Sequence, residues 1–229
     1  MTVQFNAIKA SCYVTKQVER ARQKGLTLEL MDDFDLLLKV VEETSDRAPL
    51  TPIFDNRVCD VGSHNAFWVK GTAADGRVVH LQAVRRDDLE GESLSDFLAR
   101  MGPHLMSPHI PGIPEESDYG ACRYVREMTG RLCYHGEVWL SQTGEFRGQG
   151  LGVALPRLGV ALALMRWAPD GIYGFVHPDL VLKGIPARYG YMHTHPFGIR
   201  WKRKDGLGTL DESITWMTGE DMSDLIEAA

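Results

Sequence analysis

The residues with the clearest chemical content lie in one stretch, Glu137-Val-Trp-Leu-Ser-Gln-Thr-Gly-Glu-Phe-Arg147-Gly-Gln-Gly-Leu-Gly152. A strand-forming run, Glu137 to Leu140, enters a short loop with an arginine and three alternate glycines, Gly148, Gly150 and Gly152, and an apolar helix then extends to about Trp167. At such a junction glycines let backbone N–H groups approach an anion closely. The helix N-terminus adds unsatisfied donors and about half a unit of positive charge. These residues therefore predict a phosphate or pyrophosphate cradle. A nucleotide P-loop is excluded, because no GxxxxGK[ST] is present. A dinucleotide GxGxxG also fails in either register, since the third small residue would fall on Val153 or Leu155.

The pattern that does fit is Gln/Arg-x-x-Gly-x-Gly/Ala, present as Arg147-Gly-Gln-Gly150-Leu-Gly152 between a strand and a helix. In this the chain resembles the GNAT superfamily of acyl-CoA-dependent N-acyltransferases. The resemblance extends more weakly over about residues 26–217. It implies a mixed α/β fold with a centrally splayed sheet of about six to seven strands flanked by helices. Arg147, Gly148, Gln149, Gly150, Leu151 and Gly152 are then expected to bind the pyrophosphate of acetyl-CoA or another acyl-CoA. The backbone of Leu140 and Gln142 is expected to hold the pantetheine arm. The acceptor would be an amine of a small molecule or peptide, acylated directly. Two alternatives share the cradle: a non-catalytic acyl-CoA-sensing module, and a longer-chain enzyme resembling acyl-homoserine-lactone or N-acyl amino acid synthases.

Amide formation from a thioester needs a proton acceptor for the amine, donors for the oxyanion, and a stable leaving thiolate. One carboxylate position commonly used by the resembled family falls on Gly136, so the neighbouring Glu137 is the expected base, provided a bulge turns it into the site. His135 competes, with an exposed strand position as its ordinary reading. The tyrosine that usually protonates the thiolate would fall on Pro186, and Tyr189 or Tyr191 is the substitute expected, Tyr189 foremost. His193-Thr-His195 is an HxH pair with no ligand set completed around it in the sequence, so no metal is expected. Arg200-Trp-Lys-Arg-Lys204 reads as a solvated hairpin end that would alternatively meet the cofactor's 3′-phosphate or an acidic carrier protein.

Positioning these residues requires ordinary globular elements. Leu26 to Leu30 alternates at period two, as a half-buried strand does. Asp32-Asp33 then open a helix with Phe34, Leu37, Leu38 and Val41 on one face. Asp75-Gly76 sits between two strand-like runs as a hairpin turn. Residues 13–24 predict a surface helix, 88–101 a helix, and 123–141 a strand-rich region. Strands are expected at 172–176, 190–202 and 212–217, with a short helix at 178–186 and another at the C-terminus. Residues 1–25 form a helical extension before a domain spanning 26–229, with an irregular insertion near 102–120. Pro156 is expected to kink the helix after the cradle.

The 229 residues carry a formal charge of −6, which argues against a broad nucleic-acid face. Cys12, Cys59, Cys122 and Cys133 form no CxxC pair, so free thiols in a reducing cytoplasm are expected. The N-terminus lacks a signal-peptide core and the longest apolar run is too short for a bilayer, so no membrane association is expected. A homodimer is compatible with the composition.

Overall fold

A computed structural model describes residues 4–106, 112–142, 144–146 and 148–228. Helix α1 (Ala7–Gln23) starts at Asn6, whose side chain accepts from the Ile8 and Lys9 N–H groups. It begins earlier than the polar run at 13–24 suggests, because Ala10, Tyr13 and Ala21 give it a buried face. Strand β1 (Leu26–Met31) leads to α2 (Phe34–Glu43), capped by the Asp33 carboxylate on the Leu36 N–H. The hairpin β2 (Ala66–Ala73) and β3 (Val78–Leu89) turns at Gly76, with φ +87°. Helix α3 (Leu94–Leu105) opens with a reciprocal Ser93–Asp96 cap.

Next come β4 (Gly112–Asp118), α4 (Arg123–Glu127), β5 (Gly130–Leu140) and α5 (Leu151–Trp167). The chain ends with β6 (Gly171–Val176), α6 (Pro178–Leu182), α7 (Ile185–Tyr189), β7 (His193–Arg203), β8 (Thr209–Thr218) and α8 (Gly219–Glu227). Two expectations need correcting. The proline-rich stretch is not wholly irregular, since β4 within it pairs with β7, and residues 123–127 form a helix rather than strand. Helix α5 runs on through the buried Pro156.

Among the described residues eight strands form one sheet in the order β1-β2-β3-β5-β6-β8-β7-β4, one or two more than the six to seven expected. The extra strand is β4, at the edge, where its Pro114 costs no ladder hydrogen bond from a central position. Side chains alternate between the two faces. Trp68, Leu81, Tyr134, Tyr173 and Ile214 join one core beneath α2 and α3, while Phe67, Val84, Cys133, Ile172 and Met217 join another beneath α1, α5 and α8. Period-two burial on both faces is what a sheet covered by helices on each side requires.

Every strand pairing is antiparallel except β5 with β6, which are parallel and matched only over Leu132–Tyr134 and Gly171–Tyr173. Beyond that point β5 stays with β3 as far as Leu140, and β6 stays with β8 as far as Val176. The sheet therefore splays in its middle, as the resemblance implies, and β5 continues past the split toward the loop that precedes α5.

Candidate functional site

The splay begins at two glycines. A Cβ on Gly174 would lie 2.9 Å from the His135 carbonyl oxygen, so β6 approaches β5 this closely only as glycine. A Cβ on Gly136 would lie 2.8 Å from Phe54 and 3.1 Å from the Tyr134 ring, so those aromatics fill the place a carboxylate side chain would need. One residue further, β5 bulges. Glu137 has φ +58°, and the register against β3 slips between Leu81 and Ala83. A non-glycine residue at positive φ marks local strain that surrounding contacts must hold.

Those contacts are visible. Both the Glu137 and Arg47 side chains are buried, at 5% and 3% exposure, and they form a salt bridge. The second carboxylate oxygen accepts from the Thr51 N–H at 3.0 Å. Glu137 thus does turn into the site through a bulge, with each oxygen already engaged by the 44–51 segment.

A cleft of about 320 Å³ fills the opening of the V. Glu137 and Glu212 are the carboxylates that line it, beside His177, Tyr189, Tyr191 and the aromatic side chains of Tyr134, Trp139 and Phe175. Glu212 comes from β8 and its Oε2 accepts from Trp201 Nε1 at 2.7 Å. Burial raises its carboxyl above the ordinary value, opposed by the Trp201 hydrogen bond and, less, by His177. Burial also raises the Tyr189 phenol, so it is protonated at neutral pH.

His135 is buried at 4% exposure, which corrects the expectation of an exposed strand position. Its Nδ1 meets the Tyr191 hydroxyl at 3.1 Å and its Nε2 meets Gln82 Oε1 at 2.9 Å, while Gln82 Nε2 donates to the Leu155 carbonyl at 2.7 Å. Burial pushes the imidazole down to about 3. This chain threads from the cleft to α5 and fits only because residue 159 is glycine, where a Cβ would come within 2.4 Å of Gln82 Oε1. His135 and Tyr191 are therefore neutral braces of the sheet against α5.

At the far end of β5, Ser141 donates to the Asp46 carboxylate at 2.9 Å, and Gln142 is exposed just beyond the strand. Gly148 and Gly150 take φ +71° and +75°, and Gly150 is the N-cap of α5. Gly150 has no side chain with which to cap this helix, and the Leu151 and Gly152 N–H groups lack intrahelical partners. Gly148, Gln149 and Gly152 are on the accessible side and Leu151 is buried. Arg147 lies outside the described residues. A basic side chain absent from the motif stands here: a Cβ on Gly150 would lie 2.6 Å from Arg20 Nη2, on α1.

Of the residues expected from sequence, the structure brings Glu137, Tyr189 and Tyr191 to one cleft and Gly148–Gly152 to one helix start. It does not gather the histidine pair into a metal site. His193 Nε2 meets Asp221 Oδ2 at 2.9 Å, and His195 packs against Tyr124 and Phe197. The basic run ends in a hairpin where Arg200 pairs with Asp211 and Arg203 with Asp205. Arg47, Glu212 and Arg20 were not signalled by the sequence, because each reaches the site from an element distant in the chain.

No protein-family model and no curated protein matches the chain. Among solved structures it is similar to Arabidopsis thaliana NAA60 in complex with acetyl-CoA, with 11% identity and a TM-score of 0.48 over 84% of this chain and 98% of that one. It is also similar to aminoglycoside acetyltransferase AAC(6')-Ib in complex with coenzyme A and kanamycin, with 15% identity and a TM-score of 0.43 over 87% and 98%. A third is the spermidine/spermine N-acetyltransferase SpeG from Vibrio cholerae, with 7% identity and a TM-score of 0.46 over 87% and 97%. No helix among the described residues is long and apolar enough to cross a membrane.

Proposed function

We propose that the chain is a GNAT-type N-acyltransferase that passes an acyl group from acyl-CoA, most simply acetyl-CoA, directly to an amine of a small molecule or peptide. The observation that carries this is the central splay: strands β5 and β6 part beside a cleft of about 320 Å³, and the open strand leads to a glycine-rich helix start. A thioester with a long polar arm and a pyrophosphate matches that sequence of surfaces. The N–H groups at 148–152 take the pyrophosphate, and the open edge of β5 around Leu140 and Gln142 takes the arm.

At the thioester, a backbone N–H of the bulged strand supplies the oxyanion donor, an interaction worth about 3 kcal/mol in such sites. The Tyr189 phenol protonates the leaving sulfur. Glu137, engaged by Arg47 and the Thr51 N–H, anchors the 44–51 segment over the cleft instead of taking the amine proton. Four cysteines without a disulfide suit a cytoplasmic setting. The test is thiol release from acetyl-CoA by the purified protein across a panel of primary amines. Amine-dependent release with matching amide supports the proposal. Saturable acetyl-CoA binding with no release from any amine supports the sensing alternative.

A further inference from the structure

The cleft holds two carboxylates, and among the described residues only Glu212 has an oxygen without a protein donor. Both Glu137 oxygens are engaged, by Arg47 and by the Thr51 N–H. Glu212 accepts a single hydrogen bond, from Trp201 Nε1 to Oε2, which fixes the carboxylate and leaves Oε1 available. Its side chain lies on the same sheet face as Ile214, Trp216 and Tyr134, the face beneath α2 and α3. Tyr189 and Tyr191 are on the face toward α5. The two sides of the cleft thus offer a carboxylate with aromatic walls on one side and phenols on the other.

We propose that Glu212 is the group that recognises the acceptor amine as a cation and takes its proton. Resting on the acyl-CoA reading above, this assigns the acceptor class: a primary ammonium whose attached carbon chain lies against Tyr134, Trp139 and Phe175. A positive head beside a carboxylate and over ring faces is favoured on both counts.

The chemistry balances. The ammonium gives one proton to the Glu212 carboxylate and becomes a neutral amine. Its lone pair forms the C–N bond at the thioester carbon, the C–S bond breaks, and its electron pair goes to sulfur. A second nitrogen proton reaches the thiolate by way of Tyr189, the third stays on the amide, and Glu212 returns its proton to solvent.

The groups that face Glu212 fit that role. His177 lies at the start of α6, Tyr134 and the Arg47-paired Glu137 on β5, and Tyr189 on α7. Burial holds the carboxyl above its ordinary value, which narrows its gap to the amine it would deprotonate.

The experiment compares the full chain with Glu212→Gln and Glu212→Asp. Calorimetry reads acetyl-CoA affinity, and thiol release with n-butylamine, benzylamine, 1,4-diaminobutane and an alanyl dipeptide reads turnover against pH. NMR of the CoA-bound protein reads saturable binding of the same amines. Expected are unchanged acetyl-CoA affinity within about twofold, turnover reduced about 100-fold or more in Glu212→Gln, and loss of the rising low-pH limb of kcat/KM. Partial recovery in Glu212→Asp separates proton transfer from packing. A Glu212→Gln variant that keeps both rate and limb overturns the assignment. So does a wild type that binds acetyl-CoA but neither binds nor acylates any of these amines. Failure to bind acetyl-CoA at all overturns the acyl-CoA reading, and this assignment with it.

Discussion

Placing a carboxylate at Gly152 should push stability and cofactor affinity in opposite directions. Gly152 is the second residue of α5 and has no left-handed φ to preserve. A Cβ built there meets nothing within 4 Å. Gly152→Asp therefore adds no clash. It removes a glycine from a helix, worth about 0.3 kcal/mol against aspartate, and puts a negative charge in the first turn, worth about 0.3–1 kcal/mol. The sum is about 1 kcal/mol, a rise of roughly 2–4 °C in Tm for a chain of this size. The same carboxylate about 5 Å from a bound pyrophosphate repels each unit of its charge by about 3 kcal/mol at an effective dielectric near 20. Acetyl-CoA affinity should fall more than about 100-fold. Gly152→Asn controls for size without charge and should lose much less. Thermal melts and calorimetric titration of the three proteins give both quantities. A Gly152→Asp protein that melts higher yet binds acetyl-CoA normally would refute the cradle. One that melts several degrees lower would refute the placement of the helix start.

Two further outcomes follow from buried groups. Arg47→Ala should destabilise the fold by about 3–5 kcal/mol in urea unfolding, because Glu137 is left buried without its counter-charge. The double variant with Glu137→Gln should recover part of that loss, and equal stabilities of single and double variants would contradict a structural ion pair. His80 is 1% exposed, its Nδ1 hydrogen-bonded to the Trp139 carbonyl, and burial pushes it down to about 4. With a folded value below the unfolded 6.5, its contribution is complete above pH 6.5 and is lost as pH falls toward 4, at about 1.4 kcal/mol per unit. Between pH 6.5 and 5, wild type should lose about 2 kcal/mol more than His80→Asn. That comparison cancels Asp87 and Glu212, whose upward shifts act in the opposite sense. Parallel stability profiles for the two proteins would contradict a neutral buried imidazole.

The features legible in the sequence are the ones written locally. The Arg147–Gly152 spacing sits where a strand, a loop and a helix follow one another, and each of those elements carries its own period. The Asp75-Gly76 turn and the Asp33 cap are likewise set by neighbouring residues. Strand β4 was hidden because Pro111 and Pro114 argue against a strand, an argument that loses its force at a sheet edge. His135 reads as a surface residue until Gly159, on α5, makes room for its partner Gln82. The Glu137 partner lies 90 residues away on a loop, and Glu212 enters the cleft only through the pairing of β8 with β6. Tertiary proximity of that kind leaves no periodic trace.

The most direct measurement is a thermal-shift titration of the wild-type protein with acetyl-CoA, with ATP and NAD at equal concentration alongside. Acetyl-CoA should raise the melting temperature saturably, by an amount equivalent to about 2.7 kcal/mol at 100 times Kd, and ATP and NAD should do far less. No shift with acetyl-CoA at millimolar concentration, or an equal shift with all three ligands, would contradict an acyl-CoA site between the splayed strands and the α5 N-terminus.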